Sequence, residues 1–266
     1  MANLNESLSG SPAEMYERYL VSGIFGPWSV DLLQRMNPQP REHLLDVACG
    51  TGIVSRQAAP MVAPSGRIVG VDMNAAMLDQ ARSLDEFIEW REGDATGMPF
   101  SDQEFAVVIC HHGIQLIPNR SKAISEMHRV PRPNGRLGIA AWCDIQGSPG
   151  YLSLTQALER HVGASAAGTM DEPFGLGNAS VVSALLEEGG FRDVHVQRVS
   201  KMTHFASPEE FTRAILVGGV MRRTGTQFSE ETIQLLIDDV SADLQSYLSA
   251  DGLSVPMEAH LAIARK

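Results

Sequence analysis

The fold is decided by the stretch Leu44-Leu45-Asp46-Val47-Ala48-Cys49-Gly50-Thr51-Gly52. Apolar residues flank a single acid; small residues and two glycines follow, and then a helical pattern over 52–59. An apolar strand that bends through glycine into a helix places the helix's free N–H groups beyond the strand's carboxyl end. Twenty residues after Gly52, Val69-Gly70-Val71-Asp72 closes a second apolar stretch with an acid. In a doubly wound α/β sheet, an acid at that point is placed to hold two ribose hydroxyls.

Outward from this core, strand patterns at 44–48, 67–71, 87–91, 105–110 and 136–142 alternate with helical patterns at 52–59, 74–83 and 120–130. The fourth strand, Phe105-Ala106-Val107-Val108-Ile109-Cys110, is apolar at consecutive positions, as a strand covered on both faces should be. Such alternation with short connections predicts a parallel sheet with right-handed crossovers. Pro60 is expected to end or kink the first of these helices. Farther on, a helix over 181–188 stopped by Gly189-Gly190 and strands over 193–205 and 255–265 bring the expected strand count to seven. The helical pattern over 12–36 is expected to break at Gly23 and at Gly26-Pro27.

Composition narrows the function. The chain has 266 residues, 44 % of them hydrophobic and 20 % charged, in keeping with a packed globular protein. Lys and Arg number 21 against 32 Asp and Glu, giving a formal charge of −11, which repels a phosphate backbone. The densest basic spots, Arg129-Val130-Pro131-Arg132 and Arg222-Arg223, are too small to reverse this, so no nucleic-acid partner is expected. No apolar run approaches the roughly 18 residues that span a bilayer, and the N-terminus lacks the pattern of a secretory signal. Three widely spaced cysteines, Cys49, Cys110 and Cys143, fit reduced thiols, so a cytoplasmic location is expected. No cluster has metal-ligand spacing.

Two nucleotide-type ligands compete for the glycine bend. A dinucleotide site wants Gly or Ala three residues after the second glycine, and this chain has Ser55. Asp46 just before the bend is poorly placed beside a pyrophosphate and well placed beside a cationic ligand without phosphate. A nucleoside carrying an amino group and a sulfonium meets that description.

The segment 46–52 resembles the first motif of class I S-adenosylmethionine (SAM) dependent methyltransferases. Further matches follow in that family's order: Asp72, then Glu92-Gly93-Asp94-Ala95, then the fourth strand, then Glu126-Met127-His128-Arg129-Val130 and Pro133-Asn134-Gly135-Arg136-Leu137. The ending Val255-Pro256-Met257-Glu258-Ala259-His260 resembles the last strand of small-molecule members close to the ubiquinone and menaquinone biosynthesis type. The resemblance is strong over 40–142 and weak elsewhere. The chain departs from the pattern at Ala48 and Asn134, where the family has Gly, and at Ala106, where it has Asp; Asn also tolerates left-handed backbone.

The resemblance implies a Rossmann-like, seven-stranded, mostly parallel sheet over 41–266, with helical insertions at 144–178 and 208–249 and an N-terminal helical lid over 1–40. It implies SAM as cofactor, with Asp46, Ala48, Cys49, Gly50, Thr51 and Gly52 in the cofactor loop, Asp72 on the ribose and Asp94 with Ala95 on the adenine amino group. Met73 and Met77 offer thioethers to the adenine face or fill the core. His111 and His112 end the fourth strand, where ligands of such sheets sit; His111 is expected on the cofactor side, and either as a general base. Gln115, one helical turn on, is expected to face the substrate. Tyr16, Tyr19, Phe25 and Trp28 are either a packing helix or part of the lid. The expected activity is transfer of a methyl group to a small, partly apolar acceptor by in-line displacement. The rivals are a non-catalytic SAM-binding protein of this fold and an NAD-type oxidoreductase.

Overall fold

The computed structural model describes residues 10–221 and 224–266; residues 1–9 and the basic pair Arg222-Arg223 lie outside the described residues. Among the described residues, eight strands form one sheet: β1 (His43–Val47), β2 (Arg67–Asp72), β3 (Glu89–Glu92), β4 (Phe105–His111), β5 (Pro131–Trp142), β6 (Arg192–Phe205), β7 (Leu248–Ser249) and β8 (Gly252–Arg265). Their order is β3-β2-β1-β4-β5-β8-β6, with β7 paired to β8. The four pairings from β3 to β5 are parallel, and β8 runs antiparallel to β5. The helices are α1 (Pro12–Met15), α2 (Gly26–Met36), α3 (Ile53–Val62), α4 (Ala75–Leu84), α5 (Arg120–Arg129), α6 (Pro149–His161), α7 (Ala164–Gly168), α8 (Ala179–Glu188), α9 (Pro208–Ala214) and α10 (Glu230–Asp243).

The chain divides into two compact units. The sheet unit holds residues 26–144, 173–199 and 259–266. The second unit holds 145–172, 200–258 and the segment up to Phe25. Its α9 opens on Ser207, whose side chain accepts from the Glu210 N–H, as its Ser-Pro-Glu-Glu start signal requires. Tyr16–Phe25 is wound as a π-helix that continues α1, so the expected break at Gly23 is absent; without a Cβ, Gly23 admits the Phe205 ring.

In the sheet unit the pleat sorts the core. Leu45, Val47, Val69, Val71, Val108 and Cys110 share a core with Ala123 and Ile124 of α5 and with Val182 and Leu186 of α8. Alternate residues face the other way, and there Gly138 of β5 packs on Met36 of α2. Every residue of β4 is buried, as expected of a strand covered on both faces. Pro60 does not end α3 at once: it falls in the last turn, where it removes the hydrogen bond to the Arg56 carbonyl, and the helix closes two residues later at Val62. The third strand begins at Glu89, later than expected, which leaves Phe87 outside it and exposed.

The bend from β1 to α3 is built on three residues with left-handed backbone: Ala48 (φ 54°), Gly50 (φ 55°) and Gly52 (φ 84°). Asp46 has the parity that faces α3. Its Oδ2 accepts hydrogen bonds from the Ser55 N–H at 3.1 Å and the Ser55 hydroxyl at 2.8 Å. Ser55 is the third residue of α3, so this carboxylate from the strand satisfies one of the helix's orphan N–H groups. Trp90 of β3 supports the bend. A Cβ on Gly52 would come within 2.1 Å of its ring, and one on Gly70 within 2.5 Å. The indole Nε1 donates to the Asp85 carbonyl at 2.8 Å and fixes the ring there.

Two predictions follow from the bend. Gly52→Ala puts a methyl into both Trp90 and a left-handed backbone, and lowers stability by roughly 3 kcal/mol or more. Ala48→Gly relieves the same backbone and, after glycine's added chain entropy, raises stability by about 0.5–1 kcal/mol; urea unfolding measures both. Burial pushes Asp46 up to about 7, with Asp72 adding to the rise and the Ser55 donors opposing it. The folded state therefore holds this proton more tightly than the unfolded chain, whose Asp titrates near ~3.9. That contribution to stability is full below pH ~4 and lost as pH rises through about 7. Asp46→Asn removes it: the stability difference between wild type and Asp46→Asn shrinks or reverses between pH 5 and pH 8, and a pH-independent difference refutes the assignment.

Candidate functional site

Beyond the carboxyl ends of β1, β2 and β3 lies a cavity of about 330 Å³ within the sheet unit. One wall is Ala48, Val71, Asp72 and Met73; another is the turn Gly93-Asp94-Ala95-Thr96; the third is Leu116, Ile117, Pro118 and Asn119 after β4. Most of that surface is apolar, and two carboxylates stand in it.

Asp72 ends β2. Its Oδ2 accepts from the Gly50 N–H at 2.8 Å and its Oδ1 from the Asn74 N–H at 2.9 Å. Both oxygens of this carboxylate are thus fixed in place by main-chain N–H groups at the cavity wall. The cap of α4 is Asn74, whose side chain accepts from the Met77 N–H; Asp72 does not fill that role. Asp94 sits on the turn after β3. Its Oδ1 accepts from the Thr96 N–H at 2.8 Å, which holds its carboxyl below the usual carboxylate range. Met73 is 74 % exposed on the cavity wall, a large apolar side chain with nothing yet packed over it. Met77 is buried among core residues.

The remaining loop residues divide between lining and support. Ala48 lines the cavity, and its methyl lies where a Cβ on Gly113 would come within 2.5 Å. Thr51 and Cys49 are buried. Burial, with Asp46 and Asp72 adding, pushes the Cys49 thiol well up, away from a nucleophilic thiolate. Asp46, 1 % exposed, turns to Ser55 and is not among the lining residues.

His111 and His112 are brought together, their ring centroids 4.5 Å apart, but neither lines the cavity. His112 has left-handed backbone (φ 54°), stacks on Trp142 at 3.7 Å and meets Trp28 edge-on at 6.1 Å. Burial pushes His111 down to about 3; burial and the neighbouring His111 push His112 well below its usual value. Trp28, fully buried in the sheet unit, also meets Trp142 edge-on. Tyr16, Tyr19 and Phe25 belong to the second unit, where Tyr16 stacks on Phe25 at 5.4 Å. Gln115 is 2 % exposed in a short 3-10 turn, Ile114–Leu116, directly before the lining residues Ile117 to Asn119. Its Oε1 is buried with no hydrogen-bond donor, an arrangement that costs about 1–3 kcal/mol.

Sequence reasoning missed Leu116 to Asn119, Trp90 and Ser55. Trp90 had a signal, since a glycine inside β2 marks a close approach from the neighbouring strand, and Gly70 pairs with Trp90 in register. Among the described residues, no group of His, Cys, Asp and Glu is arranged to hold a metal ion, and no helix is long and apolar enough to cross a membrane.

Residues 45–139 match the family model described as "Methyltransferase domain". A demethylmenaquinone methyltransferase from Lactobacillus johnsonii is 32 % identical over 118 residues, which are 42 % of this chain and 48 % of that protein. The chain spans about half the length of the curated relatives it matches. Phosphoethanolamine N-methyltransferase 2 from Haemonchus contortus, solved in complex with SAM, superposes with a TM-score of 0.60 at 20 % identity, over 96 % of this chain and 56 % of that one. The [4+2]-cyclase SpnF superposes with a TM-score of 0.54 at 18 % identity, over 91 % of this chain and 81 % of that one. These structures share the fold. Residues 45–139 are thus similar to methyltransferase domains, and the parallel sheet and the carboxylate at the end of β2 agree with that similarity.

Proposed function

We propose that the chain binds SAM in the cavity beyond β1, β2 and β3 and transfers its methyl group to a small, partly apolar acceptor. The observation that carries this reading is Asp72: its carboxylate ends β2 on the wall of an apolar cavity, held there by the Gly50 and Asn74 N–H groups, where the acid of a doubly wound sheet meets a ribose. Asp94 lies across the same cavity within reach of an adenine amino group, and Met73, Leu116 and Ile117 offer the ring apolar walls. The cofactor supplies an electrophilic methyl on a sulfonium. Displacement there spreads charge instead of concentrating it, so alignment and exclusion of water matter most. Ala48, Gly50 and Gly52 keep the bend rigid and close to the ligand. Asp46 acts at one remove, by fixing the start of α3. The burial of His111 and His112 favours them as a neutral aromatic wall with Trp142; an imidazole with a pKa of about 3 is a weak proton acceptor at neutral pH. This suits an acceptor that is nucleophilic without strong base assistance. The name of the Lactobacillus johnsonii relative favours a reduced quinone, whose hydroxyls make the ring carbon electron-rich, among such acceptors. The lid role of Tyr16, Tyr19 and Phe25 is kept as part of this reading, with a small molecule as the methyl acceptor.

The dinucleotide rival is disfavoured by the Asp46–Ser55 contact: a carboxylate already occupies the N–H group of α3 that would face a pyrophosphate. A second reading, SAM binding without methyl transfer, is kept because a cyclase shares the fold. Conversion of SAM to adenosylhomocysteine over a panel of reduced quinones and small amines separates the two.

Asp72→Ala is expected to weaken adenosylhomocysteine binding by about 100-fold or more in calorimetry, from the loss of two hydroxyl hydrogen bonds to a carboxylate. Wild-type protein is expected not to bind NADH in the same cell. Unchanged affinity in Asp72→Ala, or tight NADH binding, overturns the reading.

A further inference from the structure

We propose that Met73 is an oxidation-sensitive position of the ligand cavity: hydrogen peroxide converts its thioether to the sulfoxide, which weakens cofactor binding, and a bound cofactor shields the sulfur. This rests on the SAM reading above, which seats the adenine ring against Met73. Among the described residues Met73 is the most exposed methionine, at 74 %, followed by Met202 of the second unit at 46 %. The other described methionines, Met77 included, are buried or half-buried. Oxidation of sulfur follows access. The cysteines offer peroxide no better target, because the thiolate is the reactive form. Cys49, Cys110 and Cys143 are all buried, and burial pushes the Cys49 thiol well up and the Cys110 thiol to about 12. The most accessible sulfur of the described residues therefore lies on the cavity wall, directly after Asp72.

The reaction moves one oxygen atom. A lone pair on the thioether sulfur attacks one peroxide oxygen, an S–O bond forms and the O–O bond breaks. The second oxygen leaves as water after proton transfer; sulfur has given up two electrons and peroxide has taken them. The product carries a polar acceptor oxygen where an apolar side chain stood. In the open cavity water solvates that oxygen. A ring seated over it strips the water away, and the lining residues Val71, Ala95, Leu116, Ile117 and Pro118 have no side-chain donor to replace it. The carboxylates of Asp72 and Asp94 on the same wall only accept. Binding therefore costs more in the oxidised protein, whereas folding, which leaves this side chain exposed, does not.

The test couples peptide mass spectrometry to calorimetry on the full chain treated with hydrogen peroxide. Met73 is expected to gain oxygen before the other described methionines. Saturating adenosylhomocysteine is expected to slow that gain about fivefold or more while Met202 is oxidised at an unchanged rate. Once Met73 is sulfoxide, affinity for adenosylhomocysteine is expected to fall about tenfold, with the melting temperature of the ligand-free protein unchanged, and to recover after treatment with methionine sulfoxide reductases. Met73→Leu has no sulfur at this position; whatever its own affinity, peroxide is expected to leave that affinity within about twofold. Met202→Leu is expected to respond to peroxide as wild type does. Oxidation of Met73 no faster than that of buried methionines, no slowing by the ligand, an unchanged affinity after its oxidation, or a Met73→Leu variant that loses as much as wild type overturns the proposal and leaves the SAM reading standing. If untreated wild type does not bind adenosylhomocysteine, the SAM reading itself fails and takes this inference with it.

Discussion

The arrangement depends on a constraint of backbone geometry: a parallel strand must reverse into its crossover helix within a few residues while leaving room for a ligand. Here the reversal takes three left-handed residues at alternate positions, 48, 50 and 52. Such a bend is not self-supporting. Asp46 ties it from below through Ser55, Asp72 ties it from the side through the Gly50 N–H, and the Trp90 ring fills the space that the glycines leave open. The same contacts that hold the bend therefore set the orientation of the Asp72 carboxylate on the cavity wall, and the left-handed Ala48 stores strain beside it.

The sheet was legible because its evidence is local and repeated. A wholly apolar FAVVIC, glycine after an apolar strand, and an acid closing the next strand each point to one layer architecture, and β1 to β5 follow it. Asn134 takes φ 62° where the family pattern has Gly, as its tolerance of left-handed backbone suggested. What was not legible depends on direction. Charge and position alone place Asp46 toward a ligand, and the structure shows its carboxylate bonded to Ser55 at the start of α3. The alternation was in the sequence; which parity faced which layer was not. Leu116 to Asn119 form a cavity wall only because the chain turns back across the sheet end after β4, and no spacing rule encodes that turn.

The paired histidines mark another limit. Two imidazoles at the end of a strand suggest acid–base work. Packing adds a second role: with His112 stacked on Trp142 and Trp28 on its edge, removal from water favours the neutral form of both rings.

The antiparallel seam between β5 and β8 has a kinetic consequence. Trp142 pairs with Ala259, 117 positions later, and Arg136 with Arg265. During synthesis, β1 to β5 can assemble long before their last neighbour leaves the ribosome. Throughout that interval the margin of β5 stands uncovered, with its peptide groups open to any passing strand. Loop closure over so many residues is slow compared with local pairing. The nascent protein is thus most exposed to misassembly after its ligand-binding half has formed and before its sheet is sealed, which is when a chaperone or the ligand itself would protect it most.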